Sequence, residues 1–126
     1  MLEVIKRANR ASEDLELVYV EKEKDLYWEA LVGYLKKPGN YCFNIMLFDE
    51  CIGNLILSMR PECGDGVFIE YLYIHKDYRG NGLGKLMADY LKETFDEVYG
   101  ESEPGALPFW QGIGAEILND NNLFVY

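Results

Sequence analysis

The sequence predicts a single α/β domain over residues 1–126, with a mixed, mostly antiparallel central sheet of about six to seven strands and helices on both faces. Three observations lead to this prediction. An apolar, aromatic run at Val67–Ile74 is typical of a buried strand. A glycine-rich turn and a long amphipathic pattern follow it directly. Strand-like segments joined by short polar turns stand on either side of this unit.

The first third of the chain predicts one strand and then helices. Residues 2–7 are expected to form the strand. Ser12 is a plausible N-cap, because two acidic residues follow it where a helix N-terminus favours negative charge. Helical segments are expected from there to about Lys37, and the Pro-Gly-Asn of residues 38–40 ends them. The predicted buried stripe consists of Leu26, Ala30, Leu31, Tyr34 and Leu35.

The rest of the chain predicts two hairpins around the central unit. After Gly82, apolar residues recur at helical spacing at Leu83, Leu86, Met87, Tyr90, Leu91 and Phe95. The other elements are a hairpin at 41–48 and 52–59, a loop at 60–65, a short strand at 96–101, a short helix at 106–112 and a last hairpin at 115–118 and 123–126.

The cysteines are predicted to be free thiols. There are three, an odd number. With a turn at Asp49-Glu50, Cys42 lies opposite about Leu57 and Cys51 opposite Phe48, so a disulfide between the two cysteines is off-register. The chain has one histidine and no Cys-x-x-Cys pair, so no metal site is predicted.

The glycine-rich turn has the features of an anion socket. Gly80, Gly82 and Gly84 can take positive φ or allow a ligand close to the backbone, at the start of a helix whose N–H groups point outward. Arg79 and Lys85 place a cation on each side. The spacing fits neither a P-loop nor a Rossmann fingerprint. An ordinary glycine-rich turn that binds nothing is the alternative interpretation.

The spacing that does fit is R-x-x-G-x-G, formed by Arg79, Gly82 and Gly84 after the strand residues 71–74. This motif resembles the acetyl-CoA motif of GNAT-type N-acetyltransferases. Residues 106–114, Ala-Leu-Pro-Phe-Trp-Gln-Gly-Ile-Gly, resemble the second conserved block of that family, which reads roughly A-x-x-F-Y-x-x-x-G-F. The resemblance extends from about residue 41 to residue 126, and Gly53 also stands where the family often has a glycine.

The resemblance implies acetyl-CoA or another acyl-CoA as cosubstrate, and a small-molecule or peptide amine as acceptor. It places the pyrophosphate on the glycine loop and the pantetheine arm at the end of the preceding strand, where two strands splay apart. A backbone N–H near Ile74 would hold the oxyanion. The implied cofactor-binding residues are Leu72, Tyr73, Ile74, Arg79, Gly80, Asn81, Gly82, Leu83, Gly84, Lys85 and Trp110.

Glu70 is the leading candidate for the catalytic base. It is the charged residue within the apolar run, with Phe68 and Leu72 as its expected face neighbours, so its pKa is expected to be raised by partial burial. The alternative is a structural carboxylate paired with Arg60, a lysine or a backbone N–H. Glu101 and Glu103 are further candidates, although surface solvation explains them better than a catalytic role does.

The general acid is where the sequence departs from the family. Trp110 stands where the family has a tyrosine, and an indole N–H does not release its proton near neutral pH. Tyr99, Tyr126 or water is therefore expected to serve as the acid. Alternatively, the domain binds acyl-CoA and catalyses weakly or not at all. Glu103 falls near a family asparagine that touches the cofactor, where a carboxylate would repel phosphate.

The composition limits the partners. A net charge of −10 argues against nucleic acid, whose phosphates need a basic surface. No apolar run is long enough to span a membrane, and the N-terminal residues show no signal-peptide core, so a cytoplasmic location is expected. A homodimer is left open, as is a purely structural or interaction role.

Overall fold

The molecule is built on one sheet. The structure is a computed structural model that describes residues 15–26, 31–80 and 82–126. Within these residues, seven strands lie in the order β1-β2-β3-β4-β5-β7-β6. The strands are β1 Leu15–Val20, β2 Asn40–Leu47, β3 Glu50–Ser58, β4 Val67–Ile74, β5 Val98–Glu101, β6 Glu116–Ile117 and β7 Leu123–Val125. The described α-helices are α1 Val32–Lys36, α2 Leu83–Thr94 and α3 Leu107–Gly112.

The predicted fold class is confirmed. The β4–β5 pair is parallel and the other strand pairs are antiparallel. The larger core lies on the sheet face covered by α2 and α3, where Met87, Leu91 and Trp110 are buried. The opposite face holds a smaller cluster in which Leu31, next to α1, packs on Ile56. Helices therefore cover both faces, as the sequence predicts.

The predicted helical segment between Ser12 and Lys37 is wrong at residues 15–20, which form β1. Leu15 and Leu17 are buried in the larger core, whereas Val20 belongs to the cluster on the opposite face. That burial follows the two-residue period of a strand, and β1 pairs with β2 along its whole length. The predicted first strand and the Ser12 cap lie outside the described residues, as does Ala30 of the predicted stripe.

The β2–β3 hairpin is confirmed, with its turn one residue earlier than predicted. Phe48 and Asp49 have φ of 49° and 65°, the left-handed conformation that tight hairpin turns need. This turn and a bulge after Ile45 place Cys42 opposite Ile56 and Cys51 opposite Met46. These partners differ slightly from the predicted ones, but the off-register prediction holds, and the three cysteines are free thiols.

The position of β4 creates the opening in the sheet. Its pairing with β5 covers only Val67 to Ile69, so residues 70–74 have no β5 partner. On its other side, Ile69 lies opposite Leu57 and Tyr71 opposite Ile56, which leaves Glu70 as an extra, bulged residue. Bulges strengthen local twist, and here the bulge coincides with the point where β4 leaves β5. The resemblance predicted this separation.

Candidate functional site

A cavity of about 510 Å³, which we call the loop cavity, lies between the end of β4, the glycine loop and α3. Its described lining is Leu72, Ile74, Tyr78, Arg79, Gly80, Gly82, Leu83, Gly84, Lys85, Ala106, Phe109, Trp110 and Ile113. Nine of the predicted cofactor residues therefore meet in one place. Tyr73 lies beneath Arg79 instead of lining the cavity, and Asn81 lies outside the described residues.

Main-chain conformation shapes the glycine side of the loop cavity. Gly80 and Gly82 have φ of 82° and 76°, which L side chains rarely adopt. Gly82 is the N-cap of α2, so the N–H groups of the first helical turn open at the cavity without intrahelical acceptors. At Gly84 an added Cβ would lie 2.9 Å from Cζ of Phe109. The loop therefore offers backbone donors that suit an anion, and the missing side chain of Gly84 leaves room for the Phe109 ring.

Two cations flank the loop, and each is held in place. The Nε atom of Arg79 donates a hydrogen bond to the Ile74 carbonyl oxygen at 2.7 Å, which ties the loop to the end of β4. Its guanidinium carbon lies 5.4 Å from the ring centre of Tyr73. Lys85 pairs with Asp89 one helical turn later, with Nζ and Oδ2 2.6 Å apart. Both cations remain exposed to solvent at the cavity mouth.

A second cavity of about 140 Å³, which we call the carboxylate pocket, occupies the gap between β4 and β5. Its described lining is Ile69, Glu70, Tyr71, Leu72, Glu101, Ser102, Glu103, Ala106, Trp110 and Phe124. It shares Leu72, Ala106 and Trp110 with the loop cavity, so the two spaces adjoin along this wall. The three carboxylates that the sequence proposed as bases all line it.

Glu70 is held by an ion pair. Its Oε1 accepts hydrogen bonds from Ser58 Oγ at 2.7 Å and from Arg60 Nε and Nη2 at 3.1 and 2.7 Å. Burial raises the pKa of Glu70, but these hydrogen bonds and the charges of Arg60 and Lys37 outweigh burial and lower the pKa below its usual value. The predicted raised pKa is therefore wrong, because the alternative pairing with Arg60 is the one that forms.

The bulge also changes the neighbours of Glu70. The sequence placed Phe68 and Leu72 on its face, on the assumption of unbroken alternation. The extra residue at the bulge breaks that alternation, so Leu72 packs against the larger core on the other face. Phe68 stays close to Glu70 through Arg60, whose guanidinium carbon lies 3.5 Å from the centre of the Phe68 ring.

Glu101 and Glu103 line the far side of the carboxylate pocket. Both are exposed, and neither has an ion-pair partner among the described residues. Between them, Ser102 is buried, with its N–H donating to Asn122 and its hydroxyl to the Glu103 carbonyl. Glu103 borders this pocket and not the glycine loop, so the expected repulsion of phosphate does not apply to the loop itself.

The candidate acids lie in different places. Trp110 is buried at the wall between the two cavities and stacks on Phe124, with ring centres 3.9 Å apart. Tyr99 donates a hydrogen bond to Glu97, and Tyr126 to Asp89; each bond raises the pKa of its tyrosine. Neither tyrosine is among the described residues that line the two cavities.

The sequence did not assign four residues of the loop cavity, namely Tyr78, Ala106, Phe109 and Ile113. Phe109 is 36% exposed, and its ring covers Gly84. A signal was available, because Phe109, Trp110 and Ile113 fall on one side of a short helix. The hydroxyl of Tyr78 donates a hydrogen bond to Glu50 at 2.8 Å.

The described residues show neither a metal-binding cluster nor a membrane span. No group of three His, Cys, Asp or Glu side chains among them is arranged to hold a metal ion. None of the described helices is long and apolar enough to cross a membrane.

Comparison with known proteins gives one family and many similar folds. The sequence model of the Acetyltransferase (GNAT) family matches residues 5–118. No curated protein matches the chain. An acetyltransferase from Thermus thermophilus has 18% sequence identity and a TM-score of 0.66, with 90% of this chain and 95% of that chain covered.

Two further solved structures carry ligands. Naa50 of Arabidopsis thaliana, in complex with the bisubstrate analogue CoA-Ac-MVNAL, has 17% sequence identity and a TM-score of 0.62. The match covers 89% of this chain and 96% of the Naa50 chain. A GNAT family acetyltransferase from Elizabethkingia anophelis, with acetyl-CoA bound, has 15% sequence identity and a TM-score of 0.61. The match covers 86% of this chain and 80% of that chain. At sequence identities this low, the similarity to these structures shows a shared fold alone.

Proposed function

Because the chain belongs to the GNAT acetyltransferase family, we propose that it transfers an acyl group, in the first place acetyl, from an acyl-CoA to a primary amine. The arginine-glycine motif predicted this family, and that prediction is confirmed. The observation that carries the proposal is the loop cavity, where the left-handed Gly80 and Gly82 open the start of α2 beside a strand end without a β5 partner.

The cofactor would extend from the glycine loop toward the carboxylate pocket. Its pyrophosphate would accept hydrogen bonds from the N–H groups at the start of α2, with Arg79 and Lys85 nearby. Its pantetheine arm would lie along residues 70–74, whose backbone groups have no β5 partner. The volume of about 510 Å³ and the largely apolar lining suit an extended cofactor arm. The thioester would then reach the shared wall at Trp110.

The acceptor would enter through the carboxylate pocket and attack the thioester directly. Its neutral nitrogen bonds to the carbonyl carbon, and a backbone N–H near Ile74 stabilises the oxyanion. The C–S bond then breaks and the electron pair leaves with sulfur. Starting from an ammonium, the nitrogen loses two protons: one protonates the thiolate and the other goes to water. Water is the proton carrier in this scheme, since Tyr99 and Tyr126 lie away from both cavities.

Proteins of similar fold that have been solved with ligands support the proposed classes of cosubstrate and acceptor. The Elizabethkingia anophelis protein holds acetyl-CoA, and Naa50 holds an analogue that joins CoA to a peptide. Under the proposal, this chain binds an acyl-CoA in the same way and accepts a small-molecule or peptide amine. A weakly catalytic or inactive acyl-CoA-binding module is the second candidate, favoured by Trp110 at the position of the family tyrosine.

Acyl-CoA binding is tested by calorimetric titration with acetyl-CoA. Arg79→Glu should weaken binding about 100-fold, because it reverses a charge at the phosphate end and removes the bond to Ile74. Lys92→Glu is the matched control, since it makes the same charge change on α2 at a residue outside the loop cavity. Equal affinity in both variants would contradict the placement of the cofactor.

Catalysis is tested separately by release of CoA thiol from acetyl-CoA across a panel of amines. Amine-dependent thiol release supports the transferase. Tight acetyl-CoA binding without release for any amine favours the binding module, and absence of binding would reject both candidates.

A further inference from the structure

The two oxygens of the Glu70 carboxylate have different surroundings. Oε1 accepts all three hydrogen bonds, from Ser58 and twice from Arg60. Among the described residues, none donates a hydrogen bond to Oε2. The side chain is only 15% exposed and lies at the bulge beside the carboxylate pocket. One oxygen is thus fixed by the protein, and the other keeps its capacity to accept a hydrogen bond.

The residues that hold Oε1 are themselves fixed. Arg60 stacks on the ring of Phe68, and its third nitrogen lies 4.0 Å from Glu62. Ser58 and two nitrogens of the rigid, planar Arg60 guanidinium converge on Oε1, which holds this oxygen in place and limits how the carboxylate can turn. The carboxylate is therefore oriented before any ligand arrives.

We propose that Glu70 is an ionised anchor for the ammonium group of the acceptor, bound through Oε2, and that Arg60 and Ser58 position it. The inference rests on the proposed function and names its substrate class: alkyl amines that arrive protonated, in preference to weakly basic aryl amines. Glu101 and Glu103 add negative charge on the other side of the pocket, where they attract the same cation.

An anchor differs from a base in where the proton goes. As an anchor, Glu70 holds the ammonium, which loses one proton to water; the neutral nitrogen then attacks, and its second proton reaches the thiolate as the C–S bond breaks. As a base, Glu70 itself takes up the proton. Burial raises the pKa of Glu70, but Ser58, Arg60 and Lys37 lower it overall, which favours the ionised carboxylate that an anchor needs. Glu62 faces Arg60, and Glu101, Glu103 and Tyr71 face the same pocket.

The test compares Glu70→Gln with wild type, using acetyl-CoA with butylamine or aniline. The anchor predicts that the KM for butylamine rises about tenfold, while kcat does not fall and the Kd of acetyl-CoA is unchanged. Wild type should prefer butylamine to aniline, and this preference should be weaker in Glu70→Gln. Because the anchor favours the ammonium form, the rise of kcat with pH should occur at lower pH in Glu70→Gln.

Four further variants separate positioning from stability. Arg60→Ala and Ser58→Ala should each raise the KM for butylamine by a smaller factor, about threefold, and Arg60→Lys should restore part of the loss. Glu62→Gln is the control: it makes the same chemical change next to Arg60 but outside the pocket, and should leave KM unchanged. Thermal unfolding of each variant shows whether it is folded.

The possible results are distinct. If kcat falls by about 100-fold or more in Glu70→Gln, with loss of its pH dependence and an unchanged KM, Glu70 is a base instead of an anchor. Unchanged KM and kcat would leave Glu70 a purely structural ion pair and overturn the inference. Failure of wild type to bind acetyl-CoA would reject the proposed function first, and the anchor with it.

Discussion

The loop cavity and the carboxylate pocket adjoin at Trp110 but are built in different ways. Backbone conformation shapes the first, through the left-handed Gly80 and Gly82 and the start of α2. Side chains shape the second, and they come from β4, β5 and α3. The first is therefore specified by one short stretch of sequence, whereas the second depends on contacts between distant segments.

The two spaces also differ in charge. The chain carries a net charge of −10, yet two cations, Arg79 and Lys85, flank the loop cavity. Three carboxylates border the carboxylate pocket. An anionic cofactor and a cationic amine would thus each meet the opposite charge. The separation also keeps the exposed Glu101 and Glu103 away from the phosphate end.

The largest effect is expected at Gly53, which lies opposite Ile74 at the end of β4 that lines the loop cavity. An added Cβ would lie 2.0 Å from the Tyr73 carbonyl oxygen and 3.0 Å from the Ile74 Cα, and these backbone atoms cannot rotate away as a side chain can. Gly53→Ala should lower the free energy of unfolding by about 3 kcal/mol or more, measured by urea denaturation. Gly33→Ala, in α1 with open space around it, should change it by less than about 1 kcal/mol. Similar losses in both variants would contradict a role for close packing at Gly53.

Local patterns explain what the sequence could predict. β4, the glycine loop and α2 follow one another within a short stretch, and each has its own periodicity, so their boundaries are close to the predicted ones. Residues 15–20 were predicted as helix because Ser12 and the two acidic residues after it resemble a helix N-terminus. Their strand conformation depends on pairing with β2, a long-range contact that local patterns do not contain.

The sequence offered pairing of Glu70 with Arg60 as an alternative, but it could not decide between that pair and a carboxylate with a raised pKa, for a similar reason. Arg60 lies ten residues away in sequence, and only the β3–β4 pairing brings it into contact. The bulge then changes which side chains share a face. The shape of the loop cavity was accessible from sequence, whereas the chemistry of the carboxylate pocket required the structure.

A smaller effect, confined to the loop cavity, is expected at Gly84. In Gly84→Ala the new Cβ would displace the ring of Phe109 toward the cavity that this ring lines. The Kd of acetyl-CoA should rise about tenfold by calorimetry, which corresponds to about 1.4 kcal/mol. Stability should not fall, because alanine is the better helix former at this position in α2.

A second substitution at Phe109 tests that explanation. In the double variant Gly84→Ala/Phe109→Leu, the smaller side chain leaves room for the methyl group, so most of the lost affinity should return. If the change in binding free energy of the double variant equals the sum of the changes in the two single variants, the two residues do not act on one another.

The smallest effect is expected at the wall that the two cavities share. Trp110→Phe keeps an aromatic ring on Phe124 but removes the indole N–H. If water carries the protons, kcat in the thiol-release assay should change less than about threefold, since loss of a general acid would cost about 100-fold or more. Trp110→Tyr, which introduces a phenol at the same wall, should also leave kcat nearly unchanged. A large rise in kcat for the tyrosine variant would instead show that a phenolic acid is what this site lacks, and would favour the weakly catalytic module over an efficient transferase.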